Sequence, residues 1–276
     1  MGPVRQRTIR RSASVAGIGI HSSLPARVTC RPAPPDAGIA FRRLDLPDSP
    51  EIPAAADAVV DTRRGVTLGR AGVRVRTVEH LLAAAAGLGI TNLRVEVRGE
   101  ELPILDGSAA PYCALLRRAG IEVQDAVLEP IRPEEPCWVA EEAASVLVVP
   151  AGCLRLTCVV PLHHPVLGPA QVADLTVEEG RFLREIAPAR TWGFADEVEK
   201  LRQQGLAVGA SQNNALGLGP EGYLNPPRMA DEPARHKLLD LLGDLALLGR
   251  PLRAHVIAVG AGHRLHAAAV RRVLGR

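Results

Sequence analysis

The run Arg235-His236-Lys237-Leu238-Leu239-Asp240-Leu241-Leu242-Gly243-Asp244 is the part of the chain best equipped for chemistry. His236 and Asp240 are four residues apart, so on a helix they project from one face, and Asp244 extends that face by a further turn. Imidazole and carboxylate are both ligands for zinc, and a catalytic zinc takes three protein ligands while keeping one position for water. The same spacing suits an amphipathic helix with an internal His–Asp hydrogen bond, and by itself it decides nothing. Thr77-Val78-Glu79-His80 offers what the first run lacks, a further ligand in His80 and a carboxylate beside it. Neighbours on a helix point about 100° apart. Glu79 and His80 are therefore not ligands in the same manner, and Glu79 is better placed as a base toward water. Gly262-His263 follows a strand-like segment and opens a helical one. A histidine at such a turn suits a general acid, with the glycine permitting close backbone approach. His266, three residues on, reads as a bystander.

These groups need elements to bring them together. In the first half, RQRTIRRSASV, ARVTCRP and GIAFRRL read as strands between Pro- and Gly-rich turns. TVEHLLAAAAGLG reads as a helix, with Thr77 the expected N-cap and Gly87 or Gly89 its end. NLRVEVR is strand-like, Asp106 and Ser108 in LDGS suit a turn and a cap, and SAAPYCALLRRAG is a second helix. The second half repeats the rhythm: strands CWVA, SVLVVP and CLRLTCVV, a helical stretch around EEGRFLREIA, the long helix PARHKLLDLLGDLALLG, strand LRAHVIAVG and helix HRLHAAAVRRVLG. The pattern weakens in QDAVLEPIRP, near 124–133, which gives domains of 1–126 and 127–276. A sheet with helices on one side in each half is an α+β fold. The apolar faces of LLAAAAGLG and LLDLLGDLALLG are expected to pack together, bringing His80 and His236 to a shared region between the halves, where ligand sites commonly form.

Composition narrows the field. Hydrophobic residues make up 47% and charged residues 23%, the balance of a globular protein. No apolar run reaches the roughly 18 residues of a membrane span. The opening MGPVRQRTIRRSASV lacks the apolar stretch of a secretory signal, so a cytoplasmic protein is expected. A net charge of +3 with scattered basic residues, and only 3% aromatics for stacking on bases, argue against nucleic acid as a partner. Cys30, Cys113, Cys137, Cys153 and Cys158 form no CxxC pair and read as buried free thiols. Of 33 basic side chains only Lys200 and Lys237 are lysines, so a lysine here marks a place where a compact ammonium is wanted. GIGIH at 17–21 is no dinucleotide-binding loop and reads as a turn or bulge.

TVEHLLAAAAGLGITN, ELPILDGSAAPY, ARTWGF and RHKLLDLLGDL resemble signature segments of the UDP-3-O-acyl-N-acetylglucosamine deacetylases. QRTIRRSASVAGIGIHS, RPAPPDAGIAFRR and HHP at 163–165 add to the resemblance, which runs in the family's order from near residue 5 to about 266. It implies two similar domains packed as a β-α-α-β sandwich, with one Zn2+ held by His80, His236 and Asp240. It further implies Glu79 as general base, His263 as general acid with Asp244 beside it, and Thr191 at the oxyanion. Lys237, Trp192 and Ile20 are the implied substrate-binding residues. The implied reaction is hydrolysis of the acetamide of UDP-3-O-acyl-N-acetylglucosamine, the committing step of lipid A synthesis. A monomer acting on this UDP-linked acylated amino sugar is the expectation, with the acyl channel built from about 192–216. A zinc deacylase for another acylated amino sugar is the alternative. The chain departs from the family pattern at Trp192, where a phenylalanine is expected, at GASQNNALGL (209–218), at Pro233, and at DTRRGVTL (61–68), which lacks cysteines some members carry.

Overall fold

In ARVTCRP, Ala26, Val28 and Cys30 alternate with Arg27, Thr29 and Arg31, and this period of two makes a strand with one face in the core. The same alternation recurs along the chain. The computed structural model describes residues 2–165 and 167–276. The first half runs β1 (Val4–Ile9), β2 (Ala13–Ile18), β3 (Pro25–Pro32), β4 (Ile39–Arg43), β5 (Glu51–Pro53), β6 (Val59–Asp61), β7 (Thr67–Arg70), β8 (Val73–Arg76), α1 (Glu79–Gly87), β9 (Leu93–Arg98), α2 (Ala110–Ala119) and β10 (Ile121–Leu128). The second runs β11 (Cys137–Glu141), β12 (Ala144–Pro150), β13 (Arg155–His164), β14 (Gly168–Thr176), α3 (Glu179–Glu185), β15 (Trp192–Phe194), α4 (Ala195–Gln203), β16 (Leu216–Gly219), β17 (Gly222–Tyr223), α5 (Glu232–Leu245), β18 (Ala254–Val259) and α6 (His263–Val273).

Each half holds a five-stranded sheet, ordered β2-β3-β9-β4-β5 and β11-β12-β18-β13-β14. The winding is the same in both. The last strand inserts at the centre, antiparallel to the second strand and parallel to the third. A parallel neighbour requires a crossover, and α1 and α5 lie within those crossovers. Each crossover also carries a three-stranded sheet, β6-β7-β8 in the first half and β15-β16-β17 in the second.

The two crossover helices pack on each other, and α5 with α6 covers the second sheet. The result is the expected α+β architecture of sheet, helices, helices, sheet. Its interior is one apolar cluster to which both halves contribute, with Leu81, Leu82, Leu238, Leu239 and Leu241 among its buried members.

Several local readings change. RQRTIRRSASV is not one strand: β1 pairs with β10, and β2 opens the first large sheet. The supposedly patternless stretch near 124–133 carries strand to Leu128, and Ile131 bridges Leu252. Thr77 does not cap α1. Val78 is the N-cap, and Thr77 sits at φ 57 with its hydroxyl donated to Glu101 at 3.2 Å. Cys30, Cys113 and Cys158 are buried, but Cys137 is half-buried and Cys153 exposed; all are free thiols. Among the described residues no helix is long and apolar enough to cross a membrane.

Candidate functional site

Three helix starts deliver the chemistry. At α1, Thr77 holds a left-handed conformation that costs a residue with a Cβ roughly 1 kcal/mol. Glu101 holds it there, and the same carboxylate accepts the backbone N–H groups of His21 and Ser22, each at 2.8 Å. The chain thus turns sharply, and Glu79 and His80 enter in the first turn of α1. At α5, Pro233 lies in the first turn, where its missing N–H is not needed. The buried pair Arg190–Glu232, at 2.8 Å, fixes that end of the helix. The Trp192 indole N–H donates to the Pro233 carbonyl at 3.1 Å. At α6, Gly262 precedes His263, the first helical residue.

His80, His236 and Asp240 converge, with their ligand atoms all within 4.8 Å of one another. His236 Nε2 lies 3.3 Å from Asp240 Oδ1, and His80 Nε2 lies 3.9 Å from the same oxygen. Donors about 2.0–2.1 Å from a tetrahedral zinc stand roughly 3.3 Å apart, so this spacing fits an ion with little rearrangement. His236 Nδ1–H is donated to the Ala189 carbonyl at 3.1 Å, which leaves the Nε2 lone pair facing the cluster. Lys237 Nζ donates to the other oxygen of Asp240 at 2.9 Å. On the far side, Asp244 Oδ2 accepts from His263 Nδ1 at 2.8 Å and from His266 Nδ1 at 2.7 Å.

Charge states agree with this division. Burial, then the neighbouring His236, pushes His80 down to about 3, so it is neutral and able to ligate. Burial likewise lowers His236. Burial works against the Asp240 carboxylate, but Lys237 and the histidines outweigh it and keep the group ionised. Glu79 is raised to about 7 by burial, with Asp240 and Asp244 adding to the rise and His263 opposing it. His263 goes the other way. Burial favours its neutral form, yet Asp244 and Asp240 raise it to about 9. A carboxylate poised near neutrality and a protonated imidazole therefore face the same space.

That space is a cavity of about 390 Å³ lined by Glu79, His80, Thr191, Trp192, His236, Lys237, Asp240 and His263. Asp244 stands behind His263 rather than on the wall. Ile20 is buried and is not among the lining residues; its carbonyl accepts Gly209 N–H at 2.9 Å. Thr191 is held by its own backbone, donating to the Gly107 carbonyl at 2.8 Å. Gly107 has φ 84, and a Cβ there would come within 1.9 Å of the Asn214 carbonyl oxygen, so the LDGS turn and the second-half insert meet at this glycine. Sequence reasoning missed Thr62, Arg64, Glu141 and Arg264 on the cavity rim, and no local pattern marks them. It also misread His266, which is no bystander: its side chain is buried and shares Asp244 with His263.

Comparison with known proteins identifies the family. The family model described as LpxC, UDP-3-O-acyl N-acetylglycosamine deacetylase, matches residues 6–275. The chain belongs to this deacetylase family. It is 47% identical over 271 residues to a UDP-3-O-acyl-N-acetylglucosamine deacetylase of Myxococcus xanthus, covering 98% of this chain and 86% of the relative. Proteins of the same description from Trichormus variabilis and Thermosynechococcus vestitus are 41% and 45% identical. Those matches cover 98% and 97% of this chain, and 99% and 93% of the relatives. Membership in the deacetylase family makes the chain an amide hydrolase by class.

Proposed function

We propose that this protein hydrolyses the acetamide of UDP-3-O-acyl-N-acetylglucosamine, releasing acetate and the free amine, which commits the sugar to lipid A synthesis. The observation that carries the reading is the convergence of His80, His236 and Asp240 beside Glu79 and His263 in one cavity. Zinc held by the first three residues would supply Lewis-acid activation of water and of the acetamide oxygen.

The chain's own residues do the rest. Glu79, with a carboxyl near 7, takes a proton from the attacking water as its oxygen bonds to the acetamide carbon. Thr191 offers its hydroxyl to the oxygen that gains charge, and one such donor is worth about 3 kcal/mol. The C–N bond breaks only when the nitrogen is protonated, because an amide anion is a very poor leaving group. His263, kept protonated by Asp244, provides that proton. Lys237, already anchored on Asp240, meets the substrate from the cavity wall. Trp192 has its N–H engaged with Pro233 and so offers a ring face to the sugar. Ile20 enters this reading through its carbonyl hold on Gly209 in the acyl-channel insert.

The reading extends to two domains, since each five-stranded sheet lies wholly on one side of 126/127; that division falls inside β10, whose last residues pair with β1, so the first domain runs on to Leu128. It takes the protein as a monomer, because the cluster is complete within one chain, and as cytoplasmic, as the UDP-linked substrate of the proposed reaction requires. The test is acetate release from UDP-3-O-acyl-N-acetylglucosamine by the purified protein, with bound metal measured before and after chelation. Release that falls with zinc content and returns on adding zinc is expected. No release by zinc-loaded, folded protein across several acyl lengths would overturn the substrate assignment.

A further inference from the structure

We infer that His266 is a positioning residue for this reaction, holding Asp244 so that His263 keeps its Nε2 turned to the cavity. The inference rests on the proposed deacetylation for its kinetic consequence, but its geometry stands separately. His263 and His266 are three residues apart on α6, which puts them on one face of the helix. Both rings reach the same oxygen of Asp244 on α5, at 2.8 and 2.7 Å, with ring centroids 6.0 Å apart and planes at 78°. A carboxylate accepts, so each histidine must carry a proton on Nδ1, and His263 is left with its Nε2 edge, which bears the proton to be donated, facing Asp240 Oδ2, 3.9 Å away.

Two further observations make His266 necessary to this arrangement. The other oxygen of Asp244 is buried and has no protein partner among the described residues. The carboxylate is therefore held through Oδ2 alone, by two imidazole donors. With one of them gone it retains a single bond, and the second donor that fixes the direction of Oδ2 from another position on α6 is lost. His263 would then follow a loosened partner. The second observation excludes a different reading. Asp244, His263 and His266 also form a compact His/Asp group, but their N···O separations of 2.7 and 2.8 Å are well inside the roughly 3.3 Å between donors around a tetrahedral zinc. These contacts are hydrogen bonds, and among the described residues the metal-type spacing belongs to the His80, His236, Asp240 cluster.

The test compares His266→Leu, which fills the space without a donor, with His266→Asn, which restores an N–H. The leucine variant should lose about 10- to 100-fold in kcat, the usual scale for an outer-shell partner, with KM and bound zinc unchanged. Asparagine should recover most of the loss. Full kcat in a folded leucine variant, or a loss matched by lost zinc or by a raised KM, would overturn the inference. Imidazole ¹H–¹⁵N spectra of the wild-type protein give an arm independent of activity. His266 must appear with its proton on Nδ1, hydrogen-bonded and protected from exchange. If His266 carries its proton on Nε2, the inference fails even where acetate release is normal. If the spectrum is as expected but no acetate is released, the positioning geometry stands and the substrate assignment is what has failed.

Discussion

The backbone of Gly243 in α5 lies against the carbonyl of Glu79 in α1, so close that a Cβ on Gly243 would stand 2.2 Å from that oxygen. The crossing of the two helices is set at this point, and the crossing sets the distance between His80 and His236. Both parties are backbone, so neither can swing aside. Gly243→Ala would gain about 1 kcal/mol in helix propensity, but it must push the helices apart. Overpacking of this kind typically costs 1–3 kcal/mol and occasionally more; with backbone on both sides we expect the clash to win by about 2 kcal/mol. At about 2–4 °C per kcal/mol for a protein of this class, calorimetry should show a melting temperature lower by several degrees. Zinc affinity should fall with it, since His80 moves relative to His236. A variant with unchanged melting temperature and zinc affinity would mean that the helices re-seat freely and do not fix the cluster.

Glu79 and the ligands should separate on substitution. Glu79→Gln keeps the shape and the packing near Gly65 but cannot take a proton. It should hold zinc normally and lose about 10²- to 10⁴-fold in turnover, the scale of general acid–base catalysis. His80→Ala and Asp240→Ala should instead release zinc, measured by atomic emission on dialysed protein. Equal zinc loss in all three variants would show Glu79 to be a ligand and remove the base from the scheme.

How far the sequence carried follows from which signals are local. The period of two in β3 and the helical spacing of His236, Asp240 and Asp244 are local, and they give the strand and the shared face directly. The convergence of His80 with His236 also follows, because the apolar faces that α1 and α5 turn away from their own sheets cover each other. Thr77 failed as a cap because a distant carboxylate, Glu101, took its hydroxyl, and no local rule foresees that competition. The split of RQRTIRRSASV between two sheets depends on β10, more than a hundred residues away. His266 is the instructive miss. Its spacing from His263 was visible, and the i,i+3 rule already placed both on one face. What the sequence withheld was that Asp244 on another helix lies within reach of both.

Lys237 should act on the metal site as well as on substrate. Burial disfavours its charge, but Asp240 beside it raises the ammonium above its usual range, so it stays protonated and bonded to Asp240 Oδ2 at 2.9 Å. Lys237→Met removes that bond and leaves the ligand freer to turn. Zinc affinity should fall about 10- to 100-fold, and KM for the substrate should rise when the variant is assayed at saturating zinc. A raised KM with unaltered zinc affinity would restrict Lys237 to substrate binding.

The pH dependence of kcat/KM tests the acid and the base together. Glu79 must be ionised to take a proton, and burial sets its carboxyl near 7, so the rate should rise as pH climbs through that region. His263 must be protonated to give one, and it titrates near 9 against Asp244, so the rate should fall above that. The base lies below the acid, which leaves a window in which both are in their working forms. A divalent cation in the cluster favours an ionised Glu79 and a neutral His263, so both limbs should lie at or below these values in the zinc-loaded protein. Because the two groups act on each other across one cavity, each limb belongs to the coupled site rather than to one residue alone. Asp244→Asn separates them. It removes the charge that chiefly raises His263, so the alkaline limb should move down in pH. The acid limb should move down by much less, since burial is the main cause at Glu79. An alkaline limb that stays where it was in Asp244→Asn would mean that some other group supplies the proton to the leaving nitrogen.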